Sequence, residues 1–307
     1  MVARKTEYAL VDIEDGNSSG RGKFAPDSPI FHSEPLDSPQ ASSKIFYFGD
    51  SLDKNNVTVI LIAIQILMYI VSVWVVSPRS VIEPTGLSLM KIGSMIGSVA
   101  VTCTFHGHLL ELRRLIVAVF LHAGIMHILM NVLFQISLGP RFEMELGAKK
   151  FATLFLTAGI VGNLVSGAFS FSSMSVGAST ACYGLLGAEY MREYLIWPSL
   201  SEETKAMTKS RLMMQSVMLV AWEMMNWHTV CHMGHLGGFI AGFCIYPFLC
   251  SGEAANVSPR TTWTRKAALV TLACVVSACW LVMIVPAFLN WSKGSRECQA
   301  FARIYHN

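Results

Sequence analysis

A serine and several histidines stand inside strongly apolar stretches of this chain. Ser179 follows Gly177 near the start of one stretch, and His235 lies near the start of another. A serine is a weak nucleophile until a base removes its proton, and an imidazole within hydrogen-bond reach is the usual base. These residue types predict attack on a carbonyl, with Ser179 as the nucleophile and His235 as the general base.

The oxyanion that such an attack creates needs hydrogen-bond donors. Because Ser179 lies near a helix N-terminus, unpaired backbone amides and the positive end of the helix dipole are expected there. His127 and Asn131 are four residues apart in a third apolar stretch, so they share one helix face and can add side-chain donors. The sequence therefore predicts an oxyanion hole formed by His127, Asn131 and the Ser179 amide.

No carboxylate is expected beside these two groups. Neither apolar stretch carries an Asp or Glu near its start, and Glu189 would lie roughly 15 Å deeper than Ser179 along the helix. The prediction is therefore a Ser/His dyad. Tyr183, one turn after the serine on the same face, is predicted to hold the imidazole by ring stacking in place of the missing acid.

The elements that position these residues are predicted to be membrane-spanning helices. Of the 307 residues, 53% are hydrophobic and 14% are charged, which is typical of a polytopic helical membrane protein and excludes a soluble globule. Seven spans are predicted, at residues 57–77, 114–138, 149–170, 176–194, 211–230, 233–250 and 266–289.

Three regions follow from these spans. Residues 1–56 are polar and predict a disordered cytosolic tail, residues 57–250 predict a six-helix catalytic core, and residues 251–307 predict a loop, the seventh helix and a short lumenal tail. The positive-inside rule favours a cytosolic N-terminus, because only seven of the 23 Lys and Arg then face the opposite side. An uncleaved first span predicts a multi-pass protein of the secretory pathway, in the Golgi, a secretory organelle or the plasma membrane.

In this orientation Ser179 and His235 enter the membrane from the same face, each about one turn into its helix. The histidine helix has a stripe of glycines at positions 234, 238 and 242, which lets another helix approach closely. Small residues at positions 184 and 188 offer a matching face on the serine helix. The two helices are therefore predicted to pack together.

With three ordered motifs, the chain resembles the rhomboid family of intramembrane serine proteases. The motifs are His122-x4-His127-x3-Asn131, then Gly177-Ala178-Ser179-Thr180 with Tyr183, then His235-Leu236-Gly237-Gly238. The resemblance covers residues 111–242, and the flanking spans fit a six-plus-one layout. It implies an all-α membrane protein, a rhomboid-like polytopic bundle of seven transmembrane helices with a six-helix core plus one C-terminal helix.

The resemblance also implies a cofactor-free serine endopeptidase. Its substrates would be single-span transmembrane proteins, cut within the lipid bilayer near the lumenal face, with no metal and no nucleic acid involved. His122 would be structural or help to retain water, and Gly177 would support the serine. The family's usual glycine after the serine is Thr180 here, whose branched Cβ could narrow the oxyanion hole. In the loop before the second span, where the family usually has a Trp-Arg pair, this chain has Arg113-Arg114. The change could alter how that loop lies in the bilayer.

Three other functions compete with this interpretation. A metal site is suggested by His228, His232 and His235, spaced i, i+4 and i+7, but a predicted span boundary interrupts them and no carboxylate or HExxH motif accompanies them. A transporter would predict internal repeats, which the sequence lacks. A catalytically silent rhomboid-like protein that binds transmembrane clients would make the same helix contacts.

Of the eight cysteines, Cys103 and Cys298 could form a disulfide on the lumenal side.

Overall fold

A computed structural model of the chain describes residues 56–75, 82–105, 109–227, 230–250 and 258–289, together with residues 298 and 303. The predicted tail lies outside these residues, except for Asn56. Apart from one small hairpin, the regular structure within them is helical, as predicted. In chain order the elements are α1 Val57–Ile70, α2 Gly86–Ile92, α3 Gly97–Thr102, β1 Thr104–Phe105, β2 Leu109–Leu110, α4 Arg114–Val117, α5 Ile125–Leu146, α6 Ala148–Phe169, α7 Ser179–Ile196, α8 Glu202–Met225, α9 His232–Leu249 and α10 Ser258–Leu289.

Several of these helices are long and apolar enough to cross a membrane. Val57–Trp74, Ala148–Phe169 and Thr262–Val285 meet both criteria individually. A fourth candidate is the bent pair formed by Glu111–Phe120 and α5. The described part of the chain thus carries three or four spans by length and composition, and the count of seven stays a prediction.

The predicted bounds of the second span were wrong. Residues 114–138 do not form one helix, because the segment Glu111–Phe120 meets α5 at an angle of 77°. The break lies at Leu121 and Gly124, whose backbones are both extended. His122 consequently lies in the break rather than on the helix of His127. Helix α5 then continues through Pro140 to Leu146, since neighbouring helices can satisfy the backbone groups that a proline frees.

Helices α6, α7 and α9 form the most closely packed group. A Cβ atom added at Gly242 would lie 1.8 Å from the Gly184 carbonyl oxygen, and one added at Gly238 would lie 2.0 Å from the Thr180 carbonyl oxygen. Only glycine allows the backbones of α7 and α9 to come this near. The close approach predicted from the glycine stripe is confirmed, and it places the starts of α7 and α9 side by side. We call this end of the bundle the serine end.

A cluster of charged side chains joins four helices at the opposite end. The Arg141 guanidinium on α5 lies 2.8 Å from Glu189 and 3.1 Å from Glu193 on α7, while Arg211 on α8 lies 2.9 Å from Glu193 and also contacts Glu189. The Arg192 guanidinium pairs with Glu145, and the Glu145 carboxylate also accepts a hydrogen bond from the hydroxyl of Tyr246 on α9. Buried charges are tolerated when they are paired and hydrogen-bonded in this way.

Helix α8 lies at the edge of the bundle. Thr208 is its one buried residue, whereas Met218, Met224 and Met225 are 61%, 70% and 80% exposed. Besides the contacts of Arg211 with α7, α8 is held by a 2.8 Å hydrogen bond between Ser216 and Tyr190 on α7. Polar contacts, rather than an apolar core, therefore attach this helix to its neighbours.

The segment before α5 is fastened at the serine end by a fully buried arginine. The Arg114 guanidinium donates to Glu111 at 2.8 Å, to the Ser94 carbonyl oxygen at 2.8 Å and to the Met90 carbonyl oxygen at 3.1 Å. Arg113 donates to the Ile92 carbonyl oxygen at 2.8 Å. The Arg113-Arg114 pair thus anchors α4 to the end of α2 and to Ser94 just after it.

A disulfide also crosslinks this end of the molecule. Cys103, directly after α3, is bonded to Cys298, beyond α10, with a Cα–Cα distance of 5.4 Å. The neighbouring α3 segment contacts the connection between α6 and α7, where Met95 pairs with Ser175. The disulfide therefore lies at the serine end.

Candidate active site

The first residue of α7 is Ser179, and the glycine two positions before it determines how the chain enters the helix. Gly177 has φ +131°, which side-chain-bearing residues rarely adopt. A Cβ atom there would also lie 2.7 Å from His127 Nε2. The Gly177 N–H donates to the Ala118 carbonyl oxygen at 2.9 Å, which fixes the turn. Glycine at this position lets His127 approach the serine.

The structure brings Ser179 and His235 into direct contact. The distance between Ser179 Oγ and His235 Nε2 is 2.7 Å, within the range of a good hydrogen bond. His235 lies in the first turn of α9 and is 5% exposed, whereas Ser179 is only partly buried. A hydroxyl that donates to a neutral imidazole can be deprotonated as it attacks an electrophile.

The ring of Tyr183 stacks on the His235 imidazole. Their centroids are 4.4 Å apart and the planes differ by 6°. This is the stacking expected from the sequence. It holds the plane of the imidazole beside Ser179.

An acidic residue that sequence reasoning missed completes this group. The Glu223 carboxylate, in the last turn of α8, accepts a hydrogen bond from His235 Nδ1 through one oxygen and contacts His232 Nδ1 through the other. The expectation that no carboxylate lies beside these two groups was therefore wrong, whereas the catalytic Ser/His dyad stays a prediction. That expectation considered only the helices of Ser179 and His235, whereas Glu223 comes from a third helix. Its position two residues before the last residue of α8, near the start of α9, was the signal that could have found it.

Helix α5 carries His127, which lies close to the serine, and Asn131, which follows one turn later. His127 Nε2 and Ser179 Oγ both lie within 3.5 Å of the point that a Gly177 Cβ would occupy. Asn131 is 5% exposed, and its side-chain nitrogen has no hydrogen-bond partner among the described residues. A buried donor without a partner is unusual, and an oxyanion formed nearby would satisfy it. His122 is fully buried and packs edge-on against His127, with centroids 5.3 Å apart.

Thr180 packs against α6. Its hydroxyl points at the Gly159 carbonyl oxygen of α6, 3.4 Å away, and its Cβ occupies the space left by Gly162. The branched side chain is thus taken up between α6 and α7.

The stretch from His228 to His235 is not one helix, because α8 ends at Met225 and α9 begins at His232. His228 lies outside the described residues. Among those that the structure describes, no group of three or more His, Cys, Asp or Glu side chains is arranged to hold a metal ion.

Comparison with known proteins shows the family of this chain. Residues 109–252 match the Rhomboid domain. The chain is 35% identical to Rhomboid-like protease 3 of Toxoplasma gondii over 197 residues, which are 64% of this chain and 70% of that protein. The chain belongs to the rhomboid family. Rhomboid-like protease 1 of the same organism is 35% identical over 56% of this chain and 59% of its own length. Rhomboid-like protease 2 of that organism is 27% identical over 84% of this chain and 88% of its own length.

Rhomboid homologues are multi-pass membrane proteins, and the apolar helices of this chain fit that class. The family consists largely of intramembrane serine proteases, although some members are inactive. Rhomboid proteases act on transmembrane substrates within the bilayer. The contact between Ser179 and His235 lies inside the matched domain.

Proposed function

We propose that this rhomboid is an intramembrane serine endopeptidase that cleaves transmembrane segments of membrane-protein substrates. The observation that carries the proposal is the 2.7 Å contact between Ser179 Oγ and His235 Nε2. Ser179 acts as the nucleophile and His235 as the general base and then the general acid. The reaction needs no cofactor, because a serine activated by an imidazole is itself sufficient to attack a peptide carbonyl.

The reaction proceeds through an acyl-enzyme. Ser179 Oγ bonds to the carbonyl carbon while its proton moves to His235 Nε2, and the carbonyl electrons move onto oxygen. When this intermediate collapses, the C–N bond breaks and His235 gives its proton to the leaving amine. A water molecule then attacks the acyl carbon with His235 again as base, which releases the new carboxyl terminus and restores Ser179.

The oxyanion is stabilised by donors from two helices. We assign this role to the Ser179 amide at the start of α7 and to the side chains of His127 and Asn131 on α5. The unsatisfied Asn131 nitrogen supports this role. Removing one such donor typically slows an enzyme by about 10²- to 10³-fold.

The substrate class follows from the location of the site among apolar helices. A transmembrane helix hides its carbonyl groups in internal hydrogen bonds, so a single-span substrate has to unwind before Ser179 can attack. Substrate segments with small or helix-breaking residues near the serine end are the best candidates.

The serine end is proposed to face the lumen or the cell exterior, with the N-terminus in the cytosol. Disulfides persist in oxidising compartments, and the bond between Cys103 and Cys298 lies at that end. In the predicted topology most Lys and Arg fall on the opposite side, which the positive-inside rule assigns to the cytosol. A membrane of the secretory pathway fits both observations.

Cleavage of a transmembrane reporter tests the proposal. The reporter is co-expressed with the wild type, Ser179→Ala or His235→Ala, and the released fragment is followed by its size. We expect release by the wild type alone, because either change removes a group that forms or breaks a bond. Ser173→Ala, an exposed serine in the loop before α7, is the matched control and should cleave normally.

Two results would contradict the proposal. Retained cleavage in Ser179→Ala would exclude the serine mechanism. If the wild type left a broad panel of transmembrane reporters intact, while binding some of them, the protein would instead be a catalytically silent binder of transmembrane clients.

A further inference from the structure

The Glu223 carboxylate joins two imidazoles of the neighbouring helix. One oxygen accepts from His235 Nδ1 and the other contacts His232 Nδ1, and the glutamate side chain is 14% exposed. His235 in turn contacts Ser179 through its other ring nitrogen. Glu223, His235 and Ser179 thus form one continuous chain of hydrogen bonds across α8, α9 and α7.

We propose that Glu223 is a positioning residue for His235, so that the site works as a Ser-His-Glu arrangement whose carboxylate is supplied by a third helix. The proposal rests on the proteolytic function proposed above. It changes the expected machinery, because α8 then contributes to the chemistry as well as to the architecture.

The first argument concerns the position of the imidazole proton. A neutral imidazole carries one N–H, and general-base catalysis needs that proton on Nδ1 so that Nε2 can accept from Ser179. A carboxylate is an acceptor only, so Glu223 selects the form of His235 with the proton on Nδ1. Without such an acceptor, both neutral forms are accessible and one of them is inactive.

The second argument concerns the orientation of the ring. Stacking on Tyr183 fixes the plane of the imidazole, with the two planes 6° apart. A half-turn about the side-chain bond to the ring leaves this plane nearly unchanged but exchanges the ring edges. The hydrogen bond from Nδ1 to Glu223 distinguishes the two orientations, so stacking and the carboxylate constrain different motions of His235.

The third argument concerns charge. When the Ser179 proton moves to Nε2, His235 becomes an imidazolium, and the adjacent carboxylate stabilises that positive charge. The site is largely buried, with His235 5% exposed, so the attraction is weakened less by solvent than it would be at the surface.

The carboxylate is itself held in place. His232 contacts its second oxygen, and the other ring nitrogen of His232 lies 2.9 Å from the Trp227 carbonyl oxygen. The Trp227 indole packs on the same imidazole, with centroids 4.2 Å apart. His232 therefore acts on His235 only through Glu223, and its loss should have a smaller effect.

A merely structural role for Glu223 has to be separated from this one. Helix α8 is attached by few polar contacts, so loss of Glu223 could also loosen the helix. A small soluble fluorophosphonate probe reports the reactivity of Ser179 without requiring a transmembrane segment to enter the site. Its labelling rate therefore measures activation of the serine rather than access of the substrate.

The experiment measures fluorophosphonate labelling rates of the full-length chain in detergent. We expect Glu223→Gln, which has nearly the same shape but no charge, to lower the rate by about 10²-fold or more, in line with loss of the acid in other serine hydrolases. Glu223→Asp keeps the charge, so its labelling rate should be at least about tenfold higher than that of Glu223→Gln. The labelling rate of His232→Gln should lie between those of the wild type and Glu223→Gln. Glu203→Gln makes the same chemical change at an exposed site on α8 and should be labelled normally.

A second readout is the nitrogen NMR spectrum of histidine-labelled protein, with His235 assigned by comparison with His235→Ala. The wild type should carry the proton on Nδ1, and in Glu223→Gln the proton should move or exchange between the nitrogens. Labelling of Glu223→Gln within about threefold of the wild type would overturn the inference. A slower rate with the proton still on Nδ1 would also overturn it, because Glu223 would then act only on the helix.

Failure of this inference is distinguishable from failure of the proposed function. If the wild type is labelled and Ser179→Ala is not, the serine mechanism holds whatever the Glu223 variants do. If the wild type is not labelled either, both proposals fail together.

Discussion

Thr180 shows how one residue can depart from a family pattern without reaching the chemistry. Its side chain is 5% exposed and fills a space between α6 and α7 that Gly162 leaves open. The glycine that the family usually has at this position would leave that space empty. The departure is thus accommodated where α7 packs against α6.

We therefore expect Thr180→Gly to change stability more than activity. Losing the buried side chain and adding a glycine to α7 should lower the free energy of unfolding by about 1–2 kcal/mol. The rate of reporter cleavage should stay within about threefold of the wild type, which corresponds to less than 1 kcal/mol of barrier. Thermal unfolding in detergent and reporter cleavage check the two parts.

Thr180→Ser is the matched variant, because it keeps the hydroxyl that points at Gly159 and removes only the methyl group. Its stability should lie between those of the wild type and Thr180→Gly. A rate increase of more than about tenfold in Thr180→Gly would mean that the threonine does constrict the oxyanion hole.

The chemistry-bearing residues differ in how far the sequence could predict them. Ser179 and His235 could be paired because each lies in the first turn of its helix. Two helix starts at one end of a bundle are neighbours when a glycine stripe lets the helices pack together. Glu223 could not be paired in this way, because it ends a helix that is attached to the bundle by side chains alone. The contact of Glu223 with His235 depends on the angle at which α8 packs against the bundle. Hydropathy does not predict that angle.

At the scale of elements, the packing of α7 against α9 sets the distance between serine and histidine. Gly242→Ala would place a Cβ 1.8 Å from the Gly184 carbonyl oxygen, so the two helices have to move apart. We expect a loss of reporter cleavage of at least about tenfold, because small misplacements of reacting groups are costly. The fluorophosphonate labelling rate should fall in parallel.

Gly86→Ala is the control for this change. A Cβ at Gly86 would meet only the Met174 side chain at 3.7 Å, an ordinary contact, so cleavage should be unchanged. Wild-type rates in Gly242→Ala would show that α7 and α9 can separate without disturbing the catalytic pair.

The bounds of the helices were predicted less well than their order. Helix α8 begins at Glu202, well before the predicted start at residue 211, because Ser201 caps it and its charged first turns are helical as well. Hydropathy marks the apolar part of a helix, whereas the backbone hydrogen bonds continue into its polar ends. The break at Leu121–Gly124 was missed for the related reason that an apolar run continues through it.

At the scale of the whole molecule, the disulfide ties the first third of the chain to its end. Cys103 and Cys298 are 195 residues apart in sequence. A crosslink over so long a loop restricts the unfolded chain strongly, and removal of a native disulfide typically costs about 2–4 kcal/mol. We expect Cys103→Ser and Cys298→Ser each to lower the free energy of unfolding by this amount, as measured by unfolding in detergent.

Cys274→Ser provides the control, because Cys274 is a free and exposed cysteine on α10. It should unfold like the wild type. Reaction of both Cys103 and Cys298 with a maleimide in the absence of reductant would contradict the crosslink.

The disulfide closes the chain between Cys103 and Cys298 into a covalent ring. This ring contains helices α4 to α10 and therefore the short connection between α7 and α8. A protease that nicked this connection would leave Ser179 on one fragment, and Glu223 and His235 on the other. Because Cys103 belongs to the first fragment and Cys298 to the second, the two pieces would remain linked. A clipped chain would therefore keep its nucleophile and its base on one covalent molecule until a reductant reached it.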